Sequence, residues 1–275
     1  MNYDHLYHAG NLADVVKHLV LCAGIAAAKE DIGFAKQGSN LTVIDAFAGR
    51  GIYDLGSVEA QKTQEYKAGA EKLLRFSHEY APKLVLKIIE IINNLGKGKY
   101  PGSPYFIKNL IDKSDNAIFI ELHNKFYKIL EGNFKPSQNI KLYNRDPFKE
   151  NSQSYKNAIS HLIALIDPPF EKDGEFDRVV ATLRDSLINK NCMNIIWYPI
   201  KDYRAVKLFY SEMKKLDIDL LKIEISGNIS DNLNSNGIII SNPCKNLDKI
   251  IEESLNYLKN IVYEGNFEYI ISSLK

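Results

Sequence analysis

Leu41-Thr42-Val43-Ile44-Asp45-Ala46-Phe47-Ala48-Gly49-Arg50-Gly51 is a short apolar run with β-branched residues that ends in two closely spaced glycines. An apolar run without polar alternation reads as a parallel strand buried on both faces. Gly49 and Gly51 let the chain turn sharply and let a ligand approach the backbone. In open α/β sheets ligands bind beyond the carboxyl ends of the strands, so this turn is a candidate binding loop. It lacks the three-glycine dinucleotide spacing, and no lysine followed by serine or threonine makes it a P-loop. Many strand-to-helix turns carry such a glycine pair without binding anything.

Working outward, Asn11 to about Lys29 reads as a helix, with Asn11 as N-cap and Asp14 three residues on, where a carboxylate can meet free amides. Further strand candidates are Ala117–Glu121, Ile140–Tyr143, Leu162–Ile166, Met193–Tyr198, Leu220–Ile225 and Gly237–Ser241. Phe176–Ile188 and Arg204–Leu216 are helical patterns between them, and Asn246 to Leu258 is the last helix. Strands alternating with helices predict an α/β fold: a mostly parallel sheet covered on both faces. Residues 55–103 look helical, with Ala68–Phe76 and Leu84–Leu95 as the better segments, and read as an insertion into one domain spanning 1–275.

The chain has 275 residues and a formal net charge of +1, from 35 basic and 34 acidic side chains. Global charge therefore does not announce a nucleic-acid partner, and any phosphate-binding surface must be local. Cys22, Cys192 and Cys244 are odd in number and lack paired-ligand spacing. A disulfide framework or metal site is not expected, and a reducing cytoplasm fits. The longest apolar run, Leu19 to Ala28, falls well short of the roughly 20 residues of a membrane span.

Two further motifs carry chemistry. Glu121 ends the strand Ala117–Glu121, where an acidic residue can accept both hydroxyls of a ribose; taken alone it reads better as a solvated strand-end carboxylate. Leu165-Ile166-Asp167-Pro168-Pro169-Phe170 is more specific. Two prolines directly after a strand forbid continuation of the ladder and fix a rigid turn. They leave the Asp167 carboxylate and nearby carbonyls without strand partners, beside the aromatic Phe170. An exocyclic amino group on a purine or pyrimidine offers two N–H donors and an adjoining π-face, which matches that arrangement.

Asp-Pro-Pro-Phe after a strand, downstream of Asp45-Ala46-Phe47-Ala48-Gly49-Arg50-Gly51, resembles the amino-methyltransferases of class I. Tyr3, His8-Ala9-Gly10-Asn11, Ala13-Asp14-Val15 and Lys17-His18 resemble the start of the bacterial large-subunit rRNA adenine-N6 methyltransferase J family. Tyr100-Pro101-Gly102-Ser103-Pro104, Glu121-Leu122-His123, Asp167 to Glu171, Trp197-Tyr198-Pro199 and Gly237 through Asn242-Pro243 follow in the same order. The resemblance implies a Rossmann-like, mostly parallel seven-stranded sheet with a small helical subdomain inserted after the first strand. It implies S-adenosylmethionine as cofactor and 23S rRNA as partner, naked or in an early assembly intermediate, and a cytoplasmic monomer. It implies that His18, Ser103, Glu121, Asp146 and Asp167 line the cofactor or catalytic site, Glu121 on the ribose and Asp146 on the cofactor's adenine amino group. Lys17 and Tyr3 would lie near the target base. Phe47 stands where the family usually has histidine, Pro147 follows Asp146 where glycine is common, and Cys244 replaces a proline. The cofactor set is thus His18, Phe47, Gly49, Ser103, Glu121, Asp146, Pro147 and Asp167; the catalytic set is Asp167, Pro168, Phe170, Lys17 and Tyr3.

Adenine's amino nitrogen is a poor nucleophile because its lone pair is delocalised. Asp167 and the Pro168 carbonyl, accepting its two hydrogens, would favour pyramidalisation and stabilise the developing positive charge, while Phe170 stacks on the base. The base must be flipped out or single-stranded. Lys17, Arg50, Lys72 and the Lys97-to-Lys99 stretch are the candidate local cations. A DNA adenine or cytosine amino-methyltransferase is the alternative enzyme. A non-catalytic nucleic-acid-binding protein, serving use of external DNA, is the alternative class.

Overall fold

The computed structural model describes residues 4–30, 40–76, 79–150, 155, 161–189, 191–230 and 233–274. Its central sheet is built on β1 (Thr42–Asp45), whose four residues are all buried. β4 (Asn116–Ile120) pairs in parallel on one side of β1, and β6 (Leu162–Ile166) pairs in parallel on the other. β5 (Ile140–Tyr143) extends the first side and β7 (Cys192–Pro199) the second, again in parallel. Strand order therefore reverses at β1, and the space beyond its carboxyl end is the place such sheets use for ligands.

Beyond β7 the sheet turns antiparallel, through β9 (Leu233–Ser241), β8 (Leu220–Ser230) and β10 (Phe267–Ser273). The sheet thus has eight strands, not the expected seven. The added strand, β10, pairs with β8 alone at the sheet edge and buries Phe267 while turning Glu268 outward. An edge strand needs one buried face only, and its mixed composition does not resemble the buried runs of the sheet centre. The β8–β9 hairpin is also longer than expected, because backbone pairing continues into Gly, Ser and Asn residues that read as turn.

α1 (Leu12–Glu30) packs on one face of the sheet and is buried on nearly all sides. Asn11 caps it: its Oδ1 accepts from the Asp14 amide at 2.9 Å. α1 is flanked by α5 (Ser103–Leu110) and α9 (Leu247–Tyr257), which share its apolar core. The opposite face is covered by α7 (Glu175–Ser186) and α8 (Tyr203–Lys214), around Val179, Leu183, Phe209 and Met213.

The stretch from 55 to 103 holds three helices: α2 (Val58–Thr63), α3 (Ala70–Arg75) and α4 (Lys83–Leu95). It is not wholly helical. β3 (Lys99–Pro101) pairs antiparallel with β2 (Ile52–Asp54) just before it, so a short ribbon closes the base of the excursion. α6 (Asn124–Asn133) follows β4. All three cysteines are buried, and none is in a disulfide. Among the described residues no helix is long and apolar enough to cross a membrane.

Candidate active site

The carboxyl ends of β1, β4, β5, β6 and β7 converge on a cleft of about 1070 Å³. Lys17, His18, Phe47, Gly49, Ser103, Glu121, Asp146, Pro147, Asp167, Pro168 and Phe170 all line it. Of the catalytic and cofactor residues expected from the sequence, Tyr3 alone is missing from this set; it lies outside the described residues.

The glycine turn is dictated by close packing. Gly49 and Gly51 have φ of +58° and +70°, and a side chain at Gly51 would put its Cβ 2.3 Å from the Phe134 ring. The turn aims the Gly49 amide at Glu121 Oε2, at 3.0 Å, while the His123 amide donates to Oε1 at 2.6 Å. Glu121 is thereby fixed with lone pairs remaining on both oxygens, and burial raises its pKa. Beneath this turn lies Asp45, wholly buried. Its Oδ1 accepts from the Phe47 amide at 3.2 Å, whereas Oδ2 has no partner among the described residues. Burial pushes Asp45 up to about 7, against the opposing hydrogen bond from Ser103. Asp45 does not line the cleft itself; it lies behind Ser103, which does, and its orphaned oxygen is an acceptor that an ammonium at Ser103 would suit. With the oriented Glu121, that wall makes the cleft fit an amino-acid nucleoside such as S-adenosylmethionine. Sequence reading missed Asp45, although its place at the end of β1 was the available signal.

At the end of β5, Asp146 accepts from the Phe148 amide at 3.1 Å. Arg178 of α7 donates to both Asp146 oxygens, at 3.1 and 3.0 Å, and lies 4.0 Å from the Phe148 ring centroid. Phe47 meets Phe148 edge-on at 5.3 Å, so an aromatic takes the place of the expected polar group in the turn. Phe148 and Arg178 were not foreseen, since the partners of Asp146 come from other elements.

On the opposite side, Lys17 Nζ donates to Asp167 Oδ2 at 2.5 Å and lies 2.8 Å from Asp14 Oδ1. Asp14 Oδ2 in turn accepts from the Gly10 amide at 3.0 Å and bonds His5 Nε2 at 2.8 Å. A chain of contacts His5–Asp14–Lys17–Asp167 results, with Asp14 and Lys17 buried at its centre. The two carboxylates hold Lys17 well above the usual lysine range despite its burial. Asp14 is held well below the carboxylate range by His5 and Lys17, against the desolvation that would raise it. His18, one residue on, is different: burial lowers its pKa to about 3, so it is neutral, with Nδ1 2.9 Å from the Tyr100 hydroxyl.

Pro168 and Pro169 are followed by Phe170 at φ +49°, a left-handed conformation that a bulky residue adopts only under constraint. Phe170 packs 4.8 Å from Phe176 and 6.2 Å from Trp197, which also lines the cleft. Three of the cations expected to serve a polyanion are otherwise engaged, while Lys97 and Lys99 are exposed and do not line the cleft. Lys17 is buried in the chain just described, Arg50 pairs with Asp4 and covers Phe126 at 4.7 Å, and Lys72 pairs with Glu264 at 3.3 Å.

Comparison with known proteins agrees with this geometry. Residues 38–270 match the model of the family described as ribosomal RNA large subunit methyltransferase D, RlmJ. The chain is 29% identical to the ribosomal RNA large subunit methyltransferase J of Haemophilus influenzae, covering 98% of each chain. It is 26% identical to the Escherichia coli protein of the same name, over 94% of this chain and 92% of that one. A solved structure from Legionella pneumophila superposes with a TM-score of 0.84 at 26% identity, covering 97% of this chain and 98% of its own. The fold, the cleft at the reversal of strand order and a family match over most of the chain lead to one conclusion: this protein belongs to the RlmJ family of S-adenosylmethionine-dependent ribosomal RNA large-subunit methyltransferases.

Proposed function

We propose that this enzyme methylates N6 of an adenine in 23S rRNA, with Asp167 and Pro168 as the groups that receive the amino hydrogens. The observation that carries the reading is the rigid Asp167-Pro168-Pro169-Phe170 turn, facing the same cleft as Glu121 and tied to Lys17 at 2.5 Å. S-adenosylmethionine supplies the methyl group. Glu121 would take its ribose hydroxyls, Asp146 its adenine amino group, and Ser103, with Asp45 behind it, its ammonium; His18, Phe47, Gly49 and Pro147 would form the walls.

Asp167 and the Pro168 carbonyl accept the two N6 hydrogens, drawing the nitrogen lone pair out of conjugation and stabilising the charge that develops on it. Asp167 accepts the surplus proton. Lys17, backed by Asp14, holds the Asp167 carboxylate in one orientation. Phe170 and Trp197 bracket the base, which enters unstacked from a single-stranded or flipped position. Tyr3 is assigned to the same base-facing side. Residues 1–275 act as one methyltransferase domain, with 55–103 as an inserted subdomain. The enzyme works as a cytoplasmic monomer on naked or early-assembly RNA.

The test is transfer of labelled methyl to protein-free ribosomal RNA, intact large subunits and adenine-containing duplex DNA. Digestion and mass spectrometry of the labelled nucleosides follow. N6-methyladenosine from protein-free large-subunit RNA is expected. Labelling of duplex DNA alone, or of a nucleoside other than adenosine, overturns the reading.

A further inference from the structure

We propose that the loop after β7 and the exposed side of α8 form an RNA-binding surface, in which Lys201, Arg204 and Lys207 take phosphates and Tyr203 stacks a base neighbouring the target. The identity of the nucleic acid as RNA rests on the functional reading above; the surface itself does not.

Near-zero net charge means that phosphate contacts must come from cations with no internal partner. Three of the cleft's cations are committed, Lys17 to Asp14 and Asp167, Arg50 to Asp4 and Arg178 to Asp146, which leaves Lys172 and Lys201 on its rim. Lys201, Arg204 and Lys207 are exposed, and none makes an ion pair among the described residues. They follow one another directly out of the cleft. Lys201 lines it beside Pro199 and Trp197, and the charge of Lys201 reaches His8 across the opening, opposing its protonation. This is the side of Phe170, away from Glu121 and Asp146, so a strand whose base sits at Asp167 leaves the protein here.

Tyr203 is 61% exposed, an unusual position for an aromatic at the first turn of a helix. Lys207, one turn on, places its Nζ 5.1 Å from the Tyr203 ring centroid. Ring and cation therefore share one face, by the spacing that brings residues i and i+4 together. Asp202, whose carboxylate accepts from the Arg204 amide at 2.8 Å, fixes the start of the helix and with it the ring. An exposed aromatic flanked by unpaired cations is the platform on which single-stranded nucleic acids bind: the ring stacks a base of any identity and the cations follow the backbone.

The experiment is equilibrium binding of a fluorescein-labelled, adenine-containing single-stranded RNA of about 15 nucleotides, across a salt series. The full-length wild type is compared with Lys201→Ala/Arg204→Ala/Lys207→Ala, with Tyr203→Ala and Tyr203→Phe, and with Lys97→Ala/Lys99→Ala as a surface control. Melting temperature and S-adenosylmethionine affinity certify the fold and are expected to be unchanged. The triple variant is expected to bind more weakly and to lose about two from the slope of log affinity against log salt, at roughly 0.7 per lost phosphate contact. Tyr203→Ala is expected to weaken binding at least about fivefold at unchanged slope, and Tyr203→Phe to bind like wild type. KM for RNA rises in both weakened variants while kcat at saturation holds. A wild-type slope in the triple variant, an equal loss in the Lys97/Lys99 control, or full affinity in Tyr203→Ala overturns the assignment. The first of these leaves a protein partner as the use of this face. Methyl transfer to RNA by the wild type, followed in parallel, decides only the functional reading.

Discussion

Lys17 and Asp167, 150 residues apart in sequence, meet at 2.5 Å between the first helix and the turn after β6. The contact ties the N-terminal region to the catalytic turn, and Asp14 at 2.8 Å from the same ammonium keeps it charged. Without Lys17, the buried Asp14 and the half-buried Asp167 would lose the cation between them. Lys17→Met is therefore expected to slow methyl transfer at least about a hundredfold, and Asp167→Ala by roughly 10²–10³, the scale of a lost group stabilising transition-state charge. S-adenosylmethionine affinity should stay within a few-fold in Asp167→Ala. Single-turnover transfer at saturating cofactor checks both. Activity in Asp167→Ala within about threefold of wild type would remove Asp167 from the chemistry.

Glu121 is held by two backbone amides, from Gly49 and His123, and so presents its carboxylate in a fixed direction. In the proposed binding mode, two charge-assisted hydrogen bonds to ribose hydroxyls depend on it. Glu121→Ala is expected to weaken S-adenosylmethionine at least about tenfold. Calorimetric titration is the measurement. An unchanged dissociation constant returns Glu121 to a purely structural part in bracing the glycine turn.

What was legible in the chain is what depends on neighbours in sequence. β1, β4 and β6 were readable because strands buried on both faces must be apolar throughout. Asp167 and Glu121 were readable because a residue ending such a strand reaches the same edge of the sheet whatever the rest does. Asp14 was seen only as part of a helix start, because its bonds to His5 and Lys17 depend on how the segment before α1 folds back. Arg178 was invisible for a similar reason: its partner Asp146 is 32 residues away, on a different element. Of the basic residues chosen from the sequence, Lys17, Arg50 and Lys72 are paired with carboxylates. Sequence shows that a lysine is present, but not whether a carboxylate already neutralises it, as Glu264 does Lys72. β10 was missed because an edge strand needs no continuous apolar run.

Gly237 offers a test of the fold rather than of the site. A Cβ there would lie 2.2 Å from the ring of Tyr198, its partner across the β7–β9 ladder. Tyr198 cannot yield easily, since its hydroxyl bonds that of Tyr210 at 2.6 Å, and Tyr210 donates to Glu224 at 2.7 Å. Gly237→Ala is expected to cost about 2 kcal/mol, the scale of core overpacking. At this chain length that is a fall in melting temperature of several degrees. Thermal denaturation of the protein without cofactor reads it. A variant melting within a degree of wild type would show that the Tyr198 ring moves freely.

With Asp45 behind the cofactor's ammonium as proposed, cofactor binding is expected to depend on pH. The folded pKa of Asp45 is raised, to about 7, from an ordinary 3.8. The folded protein therefore binds the proton that the unfolded chain has already released between those values. Its contribution to stability is full below about pH 4, is lost as pH rises towards 7, and is flat above. Cofactor binding runs the other way. An ammonium beside Oδ2 favours the ionised form, so binding below pH 7 must expel a proton from Asp45. Affinity for S-adenosylhomocysteine is expected to fall by up to about tenfold for each pH unit below 7, the limit set by releasing one proton. Asp45→Asn, which cannot release one, should bind more weakly at pH 8 and lose this component of the dependence. His18, neutral down to about pH 3, adds nothing in this window. Titration of wild type and Asp45→Asn at pH 6, 7 and 8 makes the comparison. Identical pH profiles in the two would show that the ammonium is held elsewhere.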